Sequence, residues 1–321
     1  MPLLDIQHLT VTYGNVQAVR DVSVTLETGE ILGVVGESGS GKSTLGYAVT
    51  KLLRPPGAIQ SGRVLFEGTD LVSTLESDLR KKRWTEISVV MQSGMNALNP
   101  VATIRRQFED AIIAHQPTGQ SRMKERVAEM LKMVNIDPRY ADNYPHELSG
   151  GMKQRISIAL ALVLEPKLII FDEPTTALDV VVQRFIVQNL KTLRSQYHFS
   201  ALFISHDLGT VLEIADRVAV MYAGKFVEIQ PSGQLLRAPK HPYTQALLQC
   251  FPDPRSDQIN IVGIPGTPPD LSVVQPGCAF APRCSQVMTR CLTESLAFVE
   301  VAGAGVACHR AGLTEEVKQH G

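Results

Sequence analysis

A nine-residue stretch, GESGSGKST at positions 36–44, places the strongest constraint on the fold. It follows the apolar run EILGVV, whose continuous apolar character predicts a strand buried on both faces. After it, residues 44–53 have the pattern of a helix that ends at RPPG. A glycine-rich turn between a strand and a helix directs backbone N–H groups at a phosphate, and the helix N-terminus adds partial positive charge. This phosphate loop therefore predicts a bound nucleotide.

Eight positions of the phosphate loop are candidate contacts of a nucleoside triphosphate. Lys42 is expected to reach the β- and γ-phosphates, and Ser43 is expected to hold Mg²⁺. The predicted contacts are Gly36, Ser38, Gly39, Ser40, Gly41, Lys42, Ser43 and Thr44.

A second acidic element ends another apolar strand, KLIIFDE at 167–173. Ligands bind at the carboxyl ends of strands in open α/β sheets, so Asp172 is expected to orient Mg²⁺. Glu173 is expected to polarise the attacking water. The following Pro174 disfavours a helical conformation for Glu173.

Strand patterns alternate with helical patterns, which predicts an α/β fold with a predominantly parallel sheet. Residues 3–35 are predicted to be rich in strand, and residues 60–92 to form strands and turns. An amphipathic helix is predicted within residues 121–137, with Ser121 as its N-cap. The predicted buried face of this helix comprises Met123, Val127, Met130, Leu131 and Val134.

The stretch ELSGGMKQR at 147–155 makes the chain resemble the ATP-binding-cassette (ABC) family, whose signature reads LSGGQ; Met152 stands at the position of the glutamine. In that family the signature serves the γ-phosphate of ATP held on the opposite subunit, which implies this role for Ser149, Gly150 and Gly151. A Ser-Gly-Gly turn that opens a helix also offers N–H groups to an anion. The resemblance implies a dimer that sandwiches two ATP molecules.

Other family motifs recur in order along the chain. Tyr13 in VTYGN resembles the aromatic residue that stacks on adenine, and Gln92 in VVMQSG resembles the glutamine that touches Mg²⁺ and water. TALD at 176–179 resembles the loop that crosses the dimer seam, and His206 in FISHD resembles the switch histidine near the γ-phosphate. By this resemblance Glu173, His206 and Gln92 form the catalytic set.

The resemblance also implies the domain organisation. Residues 1–230 are expected to form an ABC nucleotide-binding domain of the P-loop NTPase fold. Its parts are a mainly parallel sheet core, an antiparallel β subdomain and an α-helical subdomain at about 93–160. Prolines become frequent after Pro231, which predicts a small irregular C-terminal extension over residues 231–321.

The extension narrows the resemblance to the ATPases of dipeptide and oligopeptide importers. Its matching segments are HPYTQALLQC (241–250), IPGTPPDL (264–271) and GCAFAPRC (277–284). NALNP at 96–100 also resembles that subgroup, although the subgroup more often has Gln-Asp-Pro where this chain has Gln92-Ser93-Gly94. Related importers carry oligosaccharides or nickel complexes, and these solutes are the alternatives.

The subgroup implies a set of partners and a location. The partners are a second ABC ATPase, expected to be a paralogue, two integral membrane permease subunits and, indirectly, an extracytoplasmic solute-binding protein. The expected location is the cytoplasmic face of the cell membrane, peripherally attached. No apolar run is long enough to span a bilayer, and the N-terminus lacks the features of a secretory signal.

Four of the five cysteines lie within the last fifty residues, at Cys278, Cys284, Cys291 and Cys308. Disulfides rarely persist in the cytosol. Four thiolates on one zinc ion lie only about 4 Å apart, which favours short C-x₂₋₄-C loops. Here the gaps are five, six and sixteen residues, and in a [4Fe–4S] cube each thiolate binds a different iron. The resemblance to the importer subgroup, whose extensions include examples with an iron–sulfur cluster, points the same way, and we predict a [4Fe–4S] cluster with zinc as the alternative and unligated thiols as the third interpretation.

The remaining residues of the extension have simpler interpretations. Cys250 is expected to pack as a small hydrophobic side chain. Arg283 and Arg290 are candidate counter-charges for the cluster, although solvated arginines are the simpler account. The cluster is expected to staple an extension that has little core of its own.

Two other classes of function compete with an importer ATPase. One is a soluble ABC ATPase that acts on DNA or ribosomes, but the formal net charge of −1 gives no broad attraction to nucleic acid. The other is a redox-sensing regulator that uses the cluster as its input.

Overall fold

The computed structural model describes residues 1–92, 97–115, 119–176, 178–250, 263–273, 275–298, 300 and 303–311. Ser93, Gly94, Asn96 and Ala177, which belong to motifs discussed above, lie outside the described residues. The chain forms two compact units. The first unit comprises residues 1–27, 31–72 and 205–321, and the second unit comprises residues 28–30 and 73–204.

An antiparallel sheet forms one part of the first unit. Its strands are β1 (Leu4–Tyr13), β2 (Val16–Leu26), β4 (Gly57–Phe66) and β5 (Thr69–Asp70), and β3 (Ile31–Val35) belongs to a different sheet. The order is β2-β1-β4-β5, and every pair of neighbours is antiparallel. The alternating burial along β1 and β2 matches a sheet with one face on the core.

A second group of strands in the first unit has the order β11-β10-β9-β3. Its members after β3 are β9 (Arg217–Tyr222), β10 (Lys225–Pro231) and β11 (Gly305–Val306). β3 runs parallel to β9, whereas β10 pairs antiparallel with both β9 and β11. All five residues of β3 are buried, as its continuous apolar sequence predicts. Because β11 comes from the C-terminal extension, the extension contributes directly to this sheet.

Short helices complete the first unit. They are α1 (Lys42–Val49), α7 (Leu208–Ile214), α8 (Ser232–Arg237), α9 (Pro242–Gln249) and α10 (Thr289–Thr293). Helix α7 lies close to β3, because a Cβ at Gly33 would stand 2.1 Å from Val211 Cγ1. Glycine at this position therefore allows the helix to approach the strand.

The second unit combines three parallel strands with the longer helices. β6 (Ile87–Val90), β7 (Leu168–Asp172) and β8 (Ser200–Ser205) have the order β8-β7-β6. The helices are α2 (Glu76–Lys82), α3 (Ile104–His115), α4 (Gln120–Met133), α5 (Gly150–Leu162) and α6 (Val180–Tyr197). β7 and β8 are buried at every residue, so their aligned ends can present polar groups at one edge.

The structure confirms the α/β architecture and corrects two local predictions. The five predicted face residues of α4 are all buried. However, Gly119 and not Ser121 is its N-cap, and Ser121 lies inside the first turn, where its hydroxyl donates to Glu125. Helix α2 was not predicted, because it buries only Leu79 and so lacks an apolar stripe. Within the described residues, no helix is both long and apolar enough to cross a membrane.

Candidate functional site

The phosphate loop joins β3 to α1 in a conformation that requires glycine. Gly41 is the N-cap of α1 and has φ +104°, a left-handed conformation that other residues rarely adopt. A Cβ at Gly41 would lie 2.2 Å from the carbonyl oxygen of Ala18. A Cβ at Gly36 would lie 2.1 Å from the carbonyl oxygen of Met221. The loop is thus closely confined by backbone on both sides.

The polar groups of the phosphate loop suit a phosphate ligand. Lys42 is buried, and its ammonium donates to the carbonyl oxygens of Gly36 and Glu37 at 2.8 and 2.9 Å. The buried hydroxyl of Ser40 has no hydrogen-bond partner among the residues that the structure describes. No acidic residue offsets the helix dipole in the first turn of α1, where Ser43 and Thr44 are half-buried. Ser38 and Gly39 are exposed.

Two further predicted contacts lie elsewhere in the first unit. Tyr13 is the last residue of β1, half-buried, with its ring close to the backbone of Gly57 on β4. His206 follows β8 and is exposed. Its neighbour Asp207 caps α7 by accepting a hydrogen bond from the N–H of Gly209 at 2.9 Å. The side chain of His206 therefore stands at the start of a capped helix.

Glu37 was not assigned a role from the sequence, yet its side chain joins the phosphate loop to the extension. Its carboxylate forms a bidentate ion pair with Arg283, at 2.7 and 2.9 Å. The suggestion that Arg283 is solvated is therefore wrong, since its side chain is only 6% exposed. Arg290 donates to the carbonyl oxygen of His309 at 2.6 Å. No local pattern signals the Glu37–Arg283 pair, because its members lie 246 residues apart.

In the second unit, β7 presents the two predicted carboxylates. Asp172 is 1% exposed and Glu173 is 7% exposed. Glu173 has φ +52°, a left-handed conformation that is uncommon outside glycine. Its N–H donates to the carbonyl oxygen of Ile204 at 2.9 Å, and its carboxylate accepts from the hydroxyl of Thr176 at 2.7 Å. These bonds orient the carboxylate of Glu173.

Gln92 follows the neighbouring strand. β6 runs parallel to β7, with Val90 opposite Phe171. Gln92 therefore follows one strand at the same edge where Asp172 and Glu173 follow the next. Its side chain is exposed, so it is available to a ligand at that edge.

The signature forms the start of α5, as predicted. Ser149 is the N-cap, exposed, and its hydroxyl accepts a hydrogen bond from the N–H of Met152 at 3.3 Å. Gly150 and Gly151 form the first turn, and a Cβ at Gly151 would lie 3.0 Å from Val182. The first turn of α5 carries no acidic residue, so its amides and dipole can favour an anion.

Arg155 supports this helix and was not assigned a role from the sequence. Its guanidinium donates to the carbonyl oxygens of Val134 and Asn135 at 3.2 and 3.0 Å, and to that of Gly151 at 3.3 Å. It also lies 5.3 Å from the ring centroid of Phe185. Burial lowers the pKa of Arg155. Arg155 thus joins the signature helix to the end of α4 and to α6.

The segment that resembles the seam loop leads into α6. Asp179 caps α6 by accepting a hydrogen bond from the N–H of Val182 at 2.9 Å. The amide of Gln183 donates to the carbonyl oxygens of Thr175 and Leu178 at 3.0 and 3.2 Å. The described part of this segment is thus held by its own helix.

The structure brings the four cysteines of the predicted cluster to one cavity. Cys278, Cys284, Cys291 and Cys308 line a cavity of about 290 Å³ in the first unit. None of the four forms a disulfide in the described chain. The N–H of Cys278 donates to the carbonyl oxygen of Cys291 at 2.8 Å, which ties the two loops together. Cys250, at the end of α9, is half-buried.

The cysteines are grouped but are not arranged around one ion. Burial raises the pKa of the Cys278 and Cys284 thiols, and the other cysteines of the cavity act in the same direction. No group of three or more described His, Cys, Asp and Glu side chains is placed to hold a single metal ion. The cluster and zinc therefore both stay predictions.

Comparison with known proteins gives two family matches and many relatives. Residues 19–176 match the family model "ABC transporter", and residues 227–291 match "Oligopeptide/dipeptide transporter, C-terminal region". The dipeptide transport ATP-binding protein DppD of Caldanaerobacter subterraneus is 42% identical over 92% of this chain and 92% of its own length. The oligopeptide transport ATP-binding protein OppD of Bacillus subtilis is 43% identical over 89% of this chain and 82% of its own.

Solved structures of similar fold are also known. One is a dimeric ATP-binding cassette in a post-hydrolysis state bound to ADP and Pi, with a TM-score of 0.65 and 28% identity over 71% of this chain and 98% of that one. Another is cbiO1 of Clostridium perfringens, part of an ABC transporter complex, with a TM-score of 0.65 and 26% identity. It covers 74% of this chain and 91% of that one.

Proposed function

The chain belongs to the ABC transporter family, among the ATP-binding proteins of the dipeptide/oligopeptide type, and on this premise we propose that it is the ATP-hydrolysing subunit of an importer for dipeptides or oligopeptides. The observation that carries the proposal is the pairing of two features in one chain. The first is a phosphate loop with a buried ammonium on its carbonyl oxygens. The second is an extension that matches the peptide-transporter family.

The predicted site residues take the following roles in this proposal. Lys42 and the amides of the phosphate loop bind the β- and γ-phosphates, with Tyr13 against the adenine. Ser43, Gln92 and Asp172 hold Mg²⁺, which neutralises charge on the phosphates when bound. The turn of Ser149, Gly150 and Gly151 binds the γ-phosphate of ATP on the partner subunit. The support for this last role is that Ser149 caps α5 and that the first turn of α5 contains no acidic residue.

Glu173 is proposed to act as the base that polarises the attacking water, with His206 and Gln92 assisting at the γ-phosphate. Its carboxylate is fixed by Thr176, and its backbone is held by Ile204. A base that is already oriented needs little rearrangement when the γ-phosphate is attacked.

The first prediction concerns Glu173→Gln. We expect the variant to bind MgATP with wild-type affinity and to lose at least about 100-fold in kcat, because the amide cannot accept a proton. Nucleotide titration and single-turnover hydrolysis measure the two quantities separately. Asp172→Asn is the contrasting variant, and we expect it to lower both kcat and the affinity for Mg²⁺. Wild-type turnover in Glu173→Gln would remove Glu173 as the base.

The proposed assembly contains this chain, a second ABC ATPase that is a paralogue, and two integral membrane permease subunits. It sits on the cytoplasmic face of the cell membrane and receives solute indirectly from an extracytoplasmic solute-binding protein. Support comes from the relatives named as peptide transport proteins, including a putative peptide import ATP-binding protein of Brucella abortus that is 41% identical.

The assembly is tested by affinity purification of the chain from membranes, followed by transport assays. We expect two integral subunits and a second ATPase, and ATP-dependent uptake of peptides into vesicles that contain them. Uptake of oligosaccharides or nickel complexes in place of peptides would assign another solute. Recovery of DNA or ribosomes, bound with steep salt dependence, would support the alternative of a soluble ABC ATPase that acts on nucleic acid.

We further propose that Cys278, Cys284, Cys291 and Cys308 hold a [4Fe–4S] cluster. The support is that these four thiols line one cavity. A cluster spreads its four ligands over four irons, so it suits cysteines separated by gaps of five, six and sixteen residues, which are longer than the short loops of a typical zinc site. When bound, it supplies thiolate–iron bonds that staple the extension, and it is open to one-electron redox change.

The second prediction is that anaerobically purified protein is brown and contains about four iron atoms per chain. Cys284→Ser should lower the iron content, whereas Cys250→Ser should leave it unchanged and serves as the matched control. Iron and zinc analysis with visible absorption checks both variants. Stoichiometric zinc without iron would replace the cluster with the alternative. A several-fold change of ATPase activity on oxidation would favour the redox-sensing role over a staple.

A further inference from the structure

Glu37 is held through its side chain and through both of its backbone groups. Its carboxylate accepts two hydrogen bonds from Arg283, at 2.7 and 2.9 Å. Its N–H donates to the hydroxyl of Tyr243 at 2.9 Å. Its carbonyl oxygen accepts from the ammonium of Lys42 at 2.9 Å and from the N–H of Ser40 at 3.2 Å. Glu37 therefore joins two residues of the extension to two residues of the phosphate loop.

Arg283 is fixed on its other side by the extension and by β9. Its guanidinium donates to the carbonyl oxygens of Pro265 and Ile264, at 2.8 and 3.3 Å, and to the hydroxyl of Tyr222 at 3.2 Å. Bidentate pairs of arginine with a carboxylate are strong and directional. Removing one partner of a buried pair leaves a charge without compensation. The pair thus holds Glu37 at one place relative to the extension.

The pair adjoins the cysteine cavity. Arg283 directly precedes Cys284, and a single 3₁₀ turn, Ala281–Arg283, separates it from Cys278. The N–H of Ala281 donates to the carbonyl oxygen of Cys278 at 2.9 Å. Phe280, at the start of this turn, lies against the rings of Tyr222 and Tyr243, with ring centroids 5.4 and 5.2 Å apart. A change in the spacing of these cysteines would therefore move Arg283.

We propose that the cysteine-rich extension sets the position of the phosphate loop through Arg283 and Tyr243, and thereby sets the affinity for MgATP. This inference rests on the proposed ATP-binding function. Arg283 and Tyr243 are positioning residues, since they contact Glu37. Arg283 also neutralises a carboxylate that lies in the loop where the triphosphate carries its negative charge. The anchor and the neutralisation both favour nucleotide binding.

The primary test is Arg283→Met in the complete transporter complex. The KM for MgATP should rise roughly 5- to 50-fold, which lies within the usual range of coupling between two sites. kcat should fall by less than about threefold, because the groups that act on water are untouched. Arg283→Lys keeps the charge but loses the bidentate geometry, so its KM should lie between those of wild type and Arg283→Met.

A matched control and a double variant separate positioning from general stability. Glu300→Gln is the matched control, because it breaks a different ion pair between the extension and β9, that of Glu300 with Arg217. The two side chains of this pair are 14% and 12% exposed, and the pair lies outside the phosphate loop. The KM of Glu300→Gln should stay within about twofold of wild type. Arg283→Met combined with Glu37→Gln should have a lower KM than Arg283→Met alone, because the uncompensated carboxylate is gone.

A second measurement does not depend on turnover. Coupling is reciprocal, so a non-hydrolysable ATP analogue should slow hydrogen exchange across residues 278–291 in wild type and not in Arg283→Met. If Arg283→Met fails to fold, Arg283→Lys and Tyr243→Phe replace it in both measurements. The inference is overturned if the KM of Arg283→Met equals that of Glu300→Gln. It is also overturned if wild type binds the analogue and its hydrogen exchange across residues 278–291 does not change. Absence of ATPase activity in wild type instead defeats the proposed function on which the inference rests.

Discussion

At the scale of single residues, the conformation of Glu173 connects strain with its proposed chemistry. A left-handed conformation costs a non-glycine residue about 1 kcal/mol or more. The structure retains it because the bonds from Thr176 and to Ile204 hold the residue on both sides. A strained residue that is fixed by its surroundings is typical of functional sites. The sequence indicated only that Pro174 would keep Glu173 out of a helix, and not which conformation it would take.

The third prediction concerns His241, which is 1% exposed and caps α9 by accepting a hydrogen bond from the N–H of Tyr243 at 3.0 Å. Burial lowers the pKa of His241 to about 4. The unfolded chain binds the proton near pH 6.5, so it holds more protons than the folded chain between about pH 6.5 and 4. The contribution of His241 to the free energy of unfolding is therefore fully present above pH 6.5. It is lost as the pH falls through this window, by up to about 3 kcal/mol.

The test is His241→Asn, which keeps an acceptor for the cap and removes the titration. Urea unfolding midpoints measured between pH 7 and 4 should fall less steeply in the variant than in wild type. Parallel curves for the two proteins would show that His241 does not carry this part of the pH dependence.

At the scale of elements, the sequence predicted what depends on local pattern. The phosphate loop, β7 with its carboxylates and the start of α5 each combine a strand or helix signal with adjacent polar residues. Helix α2 was not predicted because its single buried residue, Leu79, gives no periodic pattern of apolar residues. The N-cap at Ser121 was wrong because the N-cap is Gly119, two residues earlier, and glycine has no capping side chain. The contacts of Glu37 and Arg155 depend on distant backbone and have no local signature.

The fourth prediction concerns Gly41→Ala in the phosphate loop. A methyl group there would stand 2.2 Å from the carbonyl oxygen of Ala18, and the backbone conformation is itself strained for alanine. We expect loss of MgATP binding and a thermal midpoint lowered by several degrees. Gly14→Ala is the matched control, with φ +58° and nothing within 4 Å of its Cβ. It should cost about 1 kcal/mol and leave nucleotide binding intact. Equal effects of the two variants would contradict the steric account.

At the scale of the whole molecule, the extension is a structural part of the first unit. β11 pairs with β10, and Arg20 donates to the carbonyl oxygen of Leu271 at 2.5 Å. The carboxylate of Glu228, 0% exposed, accepts from the N–H groups of Lys240 and His241 at 2.7 and 2.9 Å. An irregular, proline-rich sequence predicted the lack of long elements here. It could not predict these contacts, because the partners lie far apart in the chain.

The fifth prediction is that a chain ending at Pro231 loses stability and solubility. Glu228 would lose two backbone donors, which costs at least about 2 kcal/mol for a buried carboxylate. Tyr222 would also lose its ring contacts with Tyr243 and Phe280. Glu228→Leu in the shortened chain should restore part of the lost stability. Soluble yield and thermal unfolding measure both effects, and a shortened chain as stable as the full one would contradict the prediction.

The hydrogen bonds of Glu37 also limit how freely related ATPases can exchange their C-terminal extensions. A chimera that carried the extension of one ATPase on the cassette of another would have to transfer the arginine together with its acidic partner. Recombination that separated residues 37 and 283 would leave an uncompensated carboxylate in the phosphate loop, so the two positions should be inherited as a pair.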